Sequence, residues 1–228
     1  MITIIFFESA LELIPESARS HPLIRKEWQK NLKKKRRGIL LDGALHRPIV
    51  DLLENREKRA RPDIIHHSLL NIVYSPLFKQ GKIQVFIHTR DNLCIKIPPQ
   101  WRVPVNYNRF CGLFSQLLLK KRVPLSGEPI LTVNHCTLRK LLDQFGDSEI
   151  YLCDIPSEGV EEIDIIKNLT DLLPFSSGVF LIGGFQHGES EFERANLNQD
   201  LVILTVYNEV KPAWVIATKI IQWLEANY

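Results

Sequence analysis

The sequence predicts an α/β fold in which helices flank a mostly parallel β-sheet. Short segments rich in β-branched and aromatic residues are bounded by Gly, Pro, Asp or Asn, as strands usually are. Longer amphipathic segments alternate with them, and this alternation favours a parallel sheet with crossover helices. The 228 residues are 45% hydrophobic and 24% charged, which is ordinary for a globular chain that can bury a large core.

The strand candidates begin at the amino terminus, where residues 2–7 form an almost entirely apolar run. Asp91 and Asn92 separate two later candidates and predict the tip of a hairpin between them. In chain order, the predicted strands are 2–7, 39–41, 83–89, 93–97, 130–133, 150–153, 179–182 and 201–206.

The helix candidates lie between these strands. Pro62 suits the first turn of its helix, where a missing backbone N–H is tolerated. In chain order, the predicted helices are 22–32, 48–55, 62–73, 107–120, 137–144, 160–172 and 211–227.

The last predicted helix is apolar over most of its surface. Trp214, Ala217, Ile221 and Leu224 share one face, and neighbouring apolar residues widen it until only a narrow polar stripe remains. A helix of this kind is covered on most sides. It is therefore either central to the domain or packed against a second subunit.

The amino terminus and the cysteines predict a cytoplasmic protein. Residues 1–8 have no positive leader and no small-residue cleavage site, and no apolar run is long enough to span a bilayer, so we expect no membrane contact. Cys94, Cys111, Cys136 and Cys153 form no C-x-x-C pair. Neither a metal site nor a disulfide framework is indicated, and a reducing compartment fits.

Charge is distributed unevenly along the chain. Residues 1–140 carry 25 Lys and Arg against 11 Asp and Glu, whereas residues 141–200 carry 2 against 13. The net charges are therefore 25 − 11 = +14 and 2 − 13 = −11. Such a polarised chain is expected to present a basic face, which is the usual footprint for nucleic acid, although solvated helix charge is the plainer alternative.

A basic run from Arg25 to Arg37 contains eight Lys and Arg residues, among them Lys33 and Arg36. One interpretation is a loop that follows phosphates, whose RNA affinity would fall steeply with salt. The other is a solvated helix end followed by a loop. The sequence favours neither.

Arg61 and Asp63 place a guanidinium and a carboxylate at a helix start. An aspartate there is favoured by the helix dipole and can bond free amide groups, which is the structural interpretation of Asp63. The functional interpretation has Arg61 holding a phosphate or a base edge while Asp63 accepts a proton or fixes a substrate N–H.

Two further arginines, Arg102 and Arg109, lie on either side of Pro104. A positive charge in the first turn of a helix is slightly disfavoured, so Arg109 is expected to have another purpose. Arginine suits a bidentate grip on phosphate. Tyr107 is placed to stack on an unpaired base.

A glycine-rich loop follows the predicted strand 179–182. Gly183 and Gly184 let the backbone approach a flat ligand closely, although a tight turn is the commoner reason for such a pair. A second loop follows the strand 201–206, and the two together could form walls of an adenosine pocket.

Several of these motifs together resemble one known family. They are Arg61-Pro62-Asp63-Ile64, Ser75-Pro76-Leu77, Arg102-Val103-Pro104, Arg109-Phe110-Cys111-Gly112-Leu113 and the Gly-x-Phe-x-His-Gly signature of residues 183–188. The chain resembles the ribosome-biogenesis methyltransferases that methylate nitrogen-1 of a pseudouridine in small-subunit ribosomal RNA. These enzymes belong to the SPOUT, or α/β-knot, class.

The resemblance implies a single SPOUT domain over residues 1–228, with a basic RNA-binding part at 1–140 and a cofactor-binding trefoil knot mainly at 150–228. It also implies family-specific insertions and a homodimer that forms through the knot. S-adenosylmethionine would be the cofactor. The implied cofactor-binding residues are Leu152, Leu181, Ile182, Gly183, Gly184, Val206, Val210 and Ala213.

The same resemblance assigns catalysis to Asp63 and Arg61, and RNA binding to Arg61, Arg102 and Arg109, to which the basic run adds Lys33 and Arg36. Asp63 would orient or accept the proton of pseudouridine nitrogen-1. Val105 stands where relatives commonly have an arginine, which removes one phosphate contact. The alternatives are a non-catalytic RNA-binding assembly factor and a SPOUT methyltransferase with another RNA target.

Overall fold

The computed structural model describes residues 1–33, 38–155, 165–187 and 201–227. Within these ranges the strands are β1 (Ile2–Ser9), β2 (Ile83–Thr89), β3 (Leu93–Ile97), β4 (Arg122–Val123), β5 (Leu131–Thr132), β6 (Asn134–His135), β7 (Ile150–Cys153), β8 (Ile165–Asn168), β9 (Gly178–Gly183) and β10 (Leu201–Thr205). The helices are α1 (Pro22–Lys33), α2 (Gly43–Val50), α3 (Pro62–Val73), α4 (Pro76–Lys79), α5 (Tyr107–Lys120), α6 (Leu138–Leu142) and α7 (Ala213–Asn227).

One sheet contains eight of these strands, in the order β6-β3-β2-β1-β9-β7-β10-β8. All its ladders from β2 to β8 are parallel, and the two antiparallel ladders, β2 with β3 and β3 with β6, lie at one edge. The predicted α/β fold with a mostly parallel sheet is therefore confirmed. Parallel sheets need cover on both faces because their strands are apolar on both.

The first strand shows how that cover is arranged. Every residue of β1 is buried. Ile2, Ile4 and Phe6 point into the larger core cluster with residues of α3, α5 and α7, whereas Ile5 and Phe7 point into a second cluster with residues of α6. The alternation follows the two-residue period of a strand. A third, smaller cluster joins α1, α2 and the segment at residues 39–41.

Several predicted elements differ from the structure. Residues 39–41 form only an isolated bridge between Leu13 and Leu40. The predicted helix 48–55 is wrong, because Asp42 caps α2 through the N–H of Ala44 and the helix ends at Val50. The predicted helix 160–172 is also wrong over its described part, where residues 165–168 form an edge strand beside β10.

The trefoil knot remains a prediction. The part of the chain predicted to form it includes residues 156–164 and 188–200, which lie outside the described residues. The described strand order does bring the carboxyl ends of β7, β9 and β10 to one edge of the sheet, because these strands are parallel neighbours. Ligands of open α/β sheets bind at that edge.

Candidate functional site

A cavity of about 850 Å³ lies at the carboxyl ends of β7, β9 and β10. Leu152 to Ile155 form one wall, Ile182 and Gly183 a second, and the segment from Val206 into α7 a third. Phe7 from β1 and Arg61 from the start of α3 complete it. The cavity is therefore built from both the basic and the acidic parts of the chain.

S-adenosylmethionine, the cofactor that the resemblance implies, fits this cavity. Its volume lies within the range of about 300–1,000 Å³ that is usual for small-ligand sites. A Cβ on Gly183 would lie only 3.1 Å from the Phe185 ring, so a side chain there would press on another residue of the cavity wall. Burial raises the pKa of Cys153, which keeps this wall thiol neutral and apolar.

Most of the predicted cofactor residues line this cavity. Leu152, Ile182, Gly183, Val206, Val210 and Ala213 are among its walls. Leu181 is instead buried within the sheet, in the second core cluster. Gly184 packs on β1, where its N–H donates to the Phe7 carbonyl at 2.8 Å and its own carbonyl accepts from Ala10 at 2.8 Å. The contacts of these two with a cofactor remain a prediction.

Arg61 joins the cavity to the start of α3. Its Nε donates to Asp63 Oδ1 at 2.8 Å and its Nη2 to Asp63 Oδ2 at 2.7 Å. Its Nη1 donates to the side-chain oxygen of Gln186, which follows β9 and also lines the cavity. The hydrogen bond with Asp63 raises the pKa of Arg61. The helix start therefore holds a bidentate ion pair whose arginine faces the cavity.

A buried aspartate that the sequence did not single out lies close to this pair. Asp42 accepts the hydroxyl proton of Tyr107 at 2.6 Å, and burial together with this bond raises the pKa of Tyr107. The charge of Asp42 adds to the hydrogen bond with Asp63 in raising the pKa of Arg61. Tyr107 is thus fixed as a hydrogen-bond donor between α2 and α5, which limits its freedom to stack on a base.

Two buried ion pairs support the segment that leads to Arg61. Lys58 Nζ lies 3.0 Å from Glu8 Oε2 and 5.0 Å from the centre of the Phe185 ring, which lines the cavity. Next to it, Arg59 binds Glu12 through two hydrogen bonds of 2.9 and 2.5 Å. Both carboxylates come from β1 or the turn after it, so consecutive cations anchor this segment to the central strand.

The other predicted RNA-binding arginines are on the surface. Arg102 and Arg109 are exposed, and so is Val105 between them, at 68%. His66 Nε2 lies 2.8 Å from the Pro104 carbonyl, which ties this segment to α3. Burial lowers the pKa of His66, so the ring is neutral and donates through Nε2.

Lys33 is the last residue of α1, and Arg36 lies outside the described residues. The structure therefore leaves the predicted contribution of the basic run untested. Gln186, Lys58 and Asp42 were missed because each makes its decisive contact with a residue far away in sequence. The Gly-x-Phe-x-His-Gly signature did mark the loop that holds Gln186.

Within the described ranges, every helix is too short or too polar to cross a bilayer.

The chain matches the sequence profile of the EMG1/NEP1 methyltransferase family over residues 4–225. It is 36% identical over 228 residues to the ribosomal RNA small subunit methyltransferase Nep1 of Staphylothermus marinus, covering 100% of this chain and 96% of that one. It is 35% identical over 219 residues to the protein of the same name from Pyrococcus furiosus, covering 96% and 93%.

The comparison with solved structures also finds a Nep1 protein. The crystal structure of Archaeoglobus fulgidus Nep1 bound to S-adenosylhomocysteine matches with a TM-score of 0.80 and 28% sequence identity. The match covers 99% of this chain and 98% of that chain. The likeness therefore extends over the sheet and the cavity together.

Proposed function

Because the chain belongs to the EMG1/NEP1 methyltransferase family, we propose that it transfers a methyl group from S-adenosylmethionine to small-subunit ribosomal RNA, at nitrogen-1 of a pseudouridine. The observation that carries this proposal is the cavity at the carboxyl ends of β7, β9 and β10, with Arg61 in its wall. The name of the relatives supports small-subunit ribosomal RNA as the substrate. The S-adenosylhomocysteine bound to the solved relative supports S-adenosylmethionine as the methyl donor.

The protein mainly has to position its two substrates. S-adenosylmethionine supplies an activated methyl group, so in-line placement of the acceptor accounts for much of the rate. Arginine has five N–H donors, and Arg61 uses three of them on Asp63 and Gln186. The remaining two can bind a phosphate or a base edge beside the cavity. Arg102 and Arg109 would hold flanking phosphates, and the target base would be flipped out of its stack.

Asp63 has two roles at this site. Its bidentate pair fixes the plane of Arg61. Each carboxylate oxygen still has a second lone pair, and the side chain is 30% exposed, so Asp63 can also receive the nitrogen-1 proton directly or through a water. We therefore keep Asp63 as the residue that orients Arg61 and manages this proton.

The test compares Asp63→Asn with Asp147→Asn, an exposed aspartate outside the cavity wall. Methyl incorporation is measured into one RNA loop made with either uridine or pseudouridine. We expect transfer by the parent protein to the pseudouridine form alone, a loss of about 10²-fold or more in Asp63→Asn, and no loss in the control. Unchanged turnover by Asp63→Asn at intact RNA binding would remove Asp63 from the mechanism.

Two alternatives predict other outcomes, the first in the same experiment and the second in a calorimetric titration. Equal transfer to both RNAs would indicate a SPOUT methyltransferase with another target. A folded protein that binds the RNA but gives no heat with S-adenosylmethionine in calorimetry would be a non-catalytic assembly factor.

We further propose that residues 1–228 act as one domain, because strands of the basic part (1–140) and of the rest of the chain share one sheet. We also propose that two copies form a homodimer. Trp214 and Trp223 of α7 are only partly buried, although they pack on His67 and Phe175, and a partner subunit could cover the rest of this apolar helix. A monomer by light scattering would contradict this. A cytoplasmic location fits the ribosomal RNA substrate.

A further inference from the structure

The Arg61 side chain bonds both to Asp63 at the start of α3 and to Gln186 in the loop after β9. Asp63 accepts from Nε and Nη2 along one edge of the guanidinium, and the Gln186 side-chain oxygen accepts from Nη1. Gln186 lies 125 residues further along the chain. The same guanidinium therefore contacts the RNA-binding part of the site and the wall of the cofactor cavity.

Gln186 is placed within that wall. Phe185, Gln186 and His187 all line the cavity, and Gln186 Nε2 lies 3.1 Å from His187 Nε2. The loop that carries them leaves β9 at Gly183. A ligand that fills the cavity contacts this loop, so it influences where the Gln186 oxygen lies.

We infer that Gln186 is a positioning residue that couples occupancy of the cofactor cavity to RNA binding, through its hydrogen bond with Arg61. This inference rests on the proposed function, because it needs both ligands. It assigns Gln186 no contact with the reacting atoms.

The coupling would act through the freedom of the Gln186 and Arg61 side chains. Gln186 is exposed, and the Arg61 side chain is 28% exposed, so packing alone does not fix either rotamer. A ligand that orders the loop also orders the acceptor of Arg61 Nη1. The RNA then binds an arginine whose guanidinium is held by Gln186 as well as by Asp63, and less entropy is lost. By linkage, RNA must tighten cofactor binding by the same factor.

The experiment measures that factor by calorimetry. S-adenosylhomocysteine is titrated into the full chain, alone and with a saturating hairpin RNA whose loop carries one pseudouridine. We expect the RNA to tighten binding about fivefold or more, which is the lower range of measured couplings. In Gln186→Leu the ratio should fall to near one, whatever the absolute affinity. Gln186→Glu keeps an acceptor for Arg61 and should keep the ratio.

Gln144→Leu, an exposed glutamine outside the cavity, is the matched control and should keep the parent ratio. The inference is overturned if the parent protein binds both ligands with a ratio near one. It is also overturned if Gln186→Leu keeps the parent ratio, or if Gln186→Glu loses it together with Gln186→Leu. A folded parent protein that binds no S-adenosylhomocysteine would overturn the proposed function as well.

Discussion

Replacement of Lys58 by methionine should destabilise the whole domain, because Lys58 and Glu8 form an ion pair in the core. Their side chains are only 5% and 11% exposed, and Nζ lies 3.0 Å from Oε2. Loss of one partner from a buried pair costs about 3–5 kcal/mol, since the other charge stays in a poorly solvated place. For a chain of this size each kcal/mol lowers Tm by about 2–4 °C, so we expect a fall of about 6–20 °C.

The double variant Glu8→Gln, Lys58→Met separates charge from packing. With both charges gone, much of the lost stability should return, since an apolar or neutral replacement of a buried pair is often close to neutral. The control is Lys120→Met, which removes a lysine from the exposed end of α5 and should change stability by no more than about 0.5 kcal/mol. Differential scanning calorimetry and urea unfolding measure all three.

Two results would refute this reasoning. One is a loss of less than about 2 °C in Lys58→Met, which would mean that Glu8 is well solvated without its partner. The other is a double variant no more stable than the single one. In that case the loss of stability would come from lost packing of the lysine stem and not from charge. Lys58 Nζ lies 5.0 Å from the centre of the Phe185 ring, so the stem contributes to packing there.

Three other changes are expected to have measurable effects. Val105 is 68% exposed, and Val105→Arg should tighten RNA binding by adding a phosphate contact. The slope of the logarithm of the binding constant against the logarithm of the KCl concentration should become steeper by about 0.7, as measured by fluorescence anisotropy. An unchanged slope would contradict the contact. Gly184→Ala should cost about 1–3 kcal/mol in urea unfolding, because the new Cβ would lie 2.7 Å from Ser9 Cα; a cost below about 0.5 kcal/mol would show that the strand can move. Burial lowers the pKa of His66, so the contribution of this group to stability is present above about pH 6.5 and is lost as the pH falls further. The urea midpoint should therefore differ less between pH 7.5 and pH 5.5 in His66→Gln than in the parent protein. An equal difference in the two proteins would exclude His66 as the cause.

Much of the fold could be predicted because local pattern and tertiary structure agree. Strands β2, β3 and β7 and helices α3 and α5 begin and end where hydrophobic period and capping predict. The helix prediction at residues 160–172 failed because apolar residues at 163, 165, 166 and 169 also suit a helical face. Pairing with β10 decided in favour of a strand, and that partner is over thirty residues away in sequence.

The candidate site could be predicted only in part. Arg61 and Asp63 were recognisable because they are two residues apart at a helix start, and the ion pair between them is local. Gln186, Lys58 and Asp42 have no such signal. Lys58 meets Glu8 across 50 residues, and Asp42 meets Tyr107 across 65. Neither periodicity nor spacing carries information about contacts of that length.

The central place of β1 has a consequence for synthesis of the chain. β1 is made before both of its neighbours in the sheet, which are β2 at residues 83–89 and β9 at residues 178–183. Until β9 leaves the ribosome, one side of an entirely buried strand has no pairing partner, and such an edge readily pairs with other chains. Contacts this far apart in sequence also form slowly. Nascent chains that stop before residue 178 should therefore aggregate, and holdase chaperones should bind this protein mainly during its own translation.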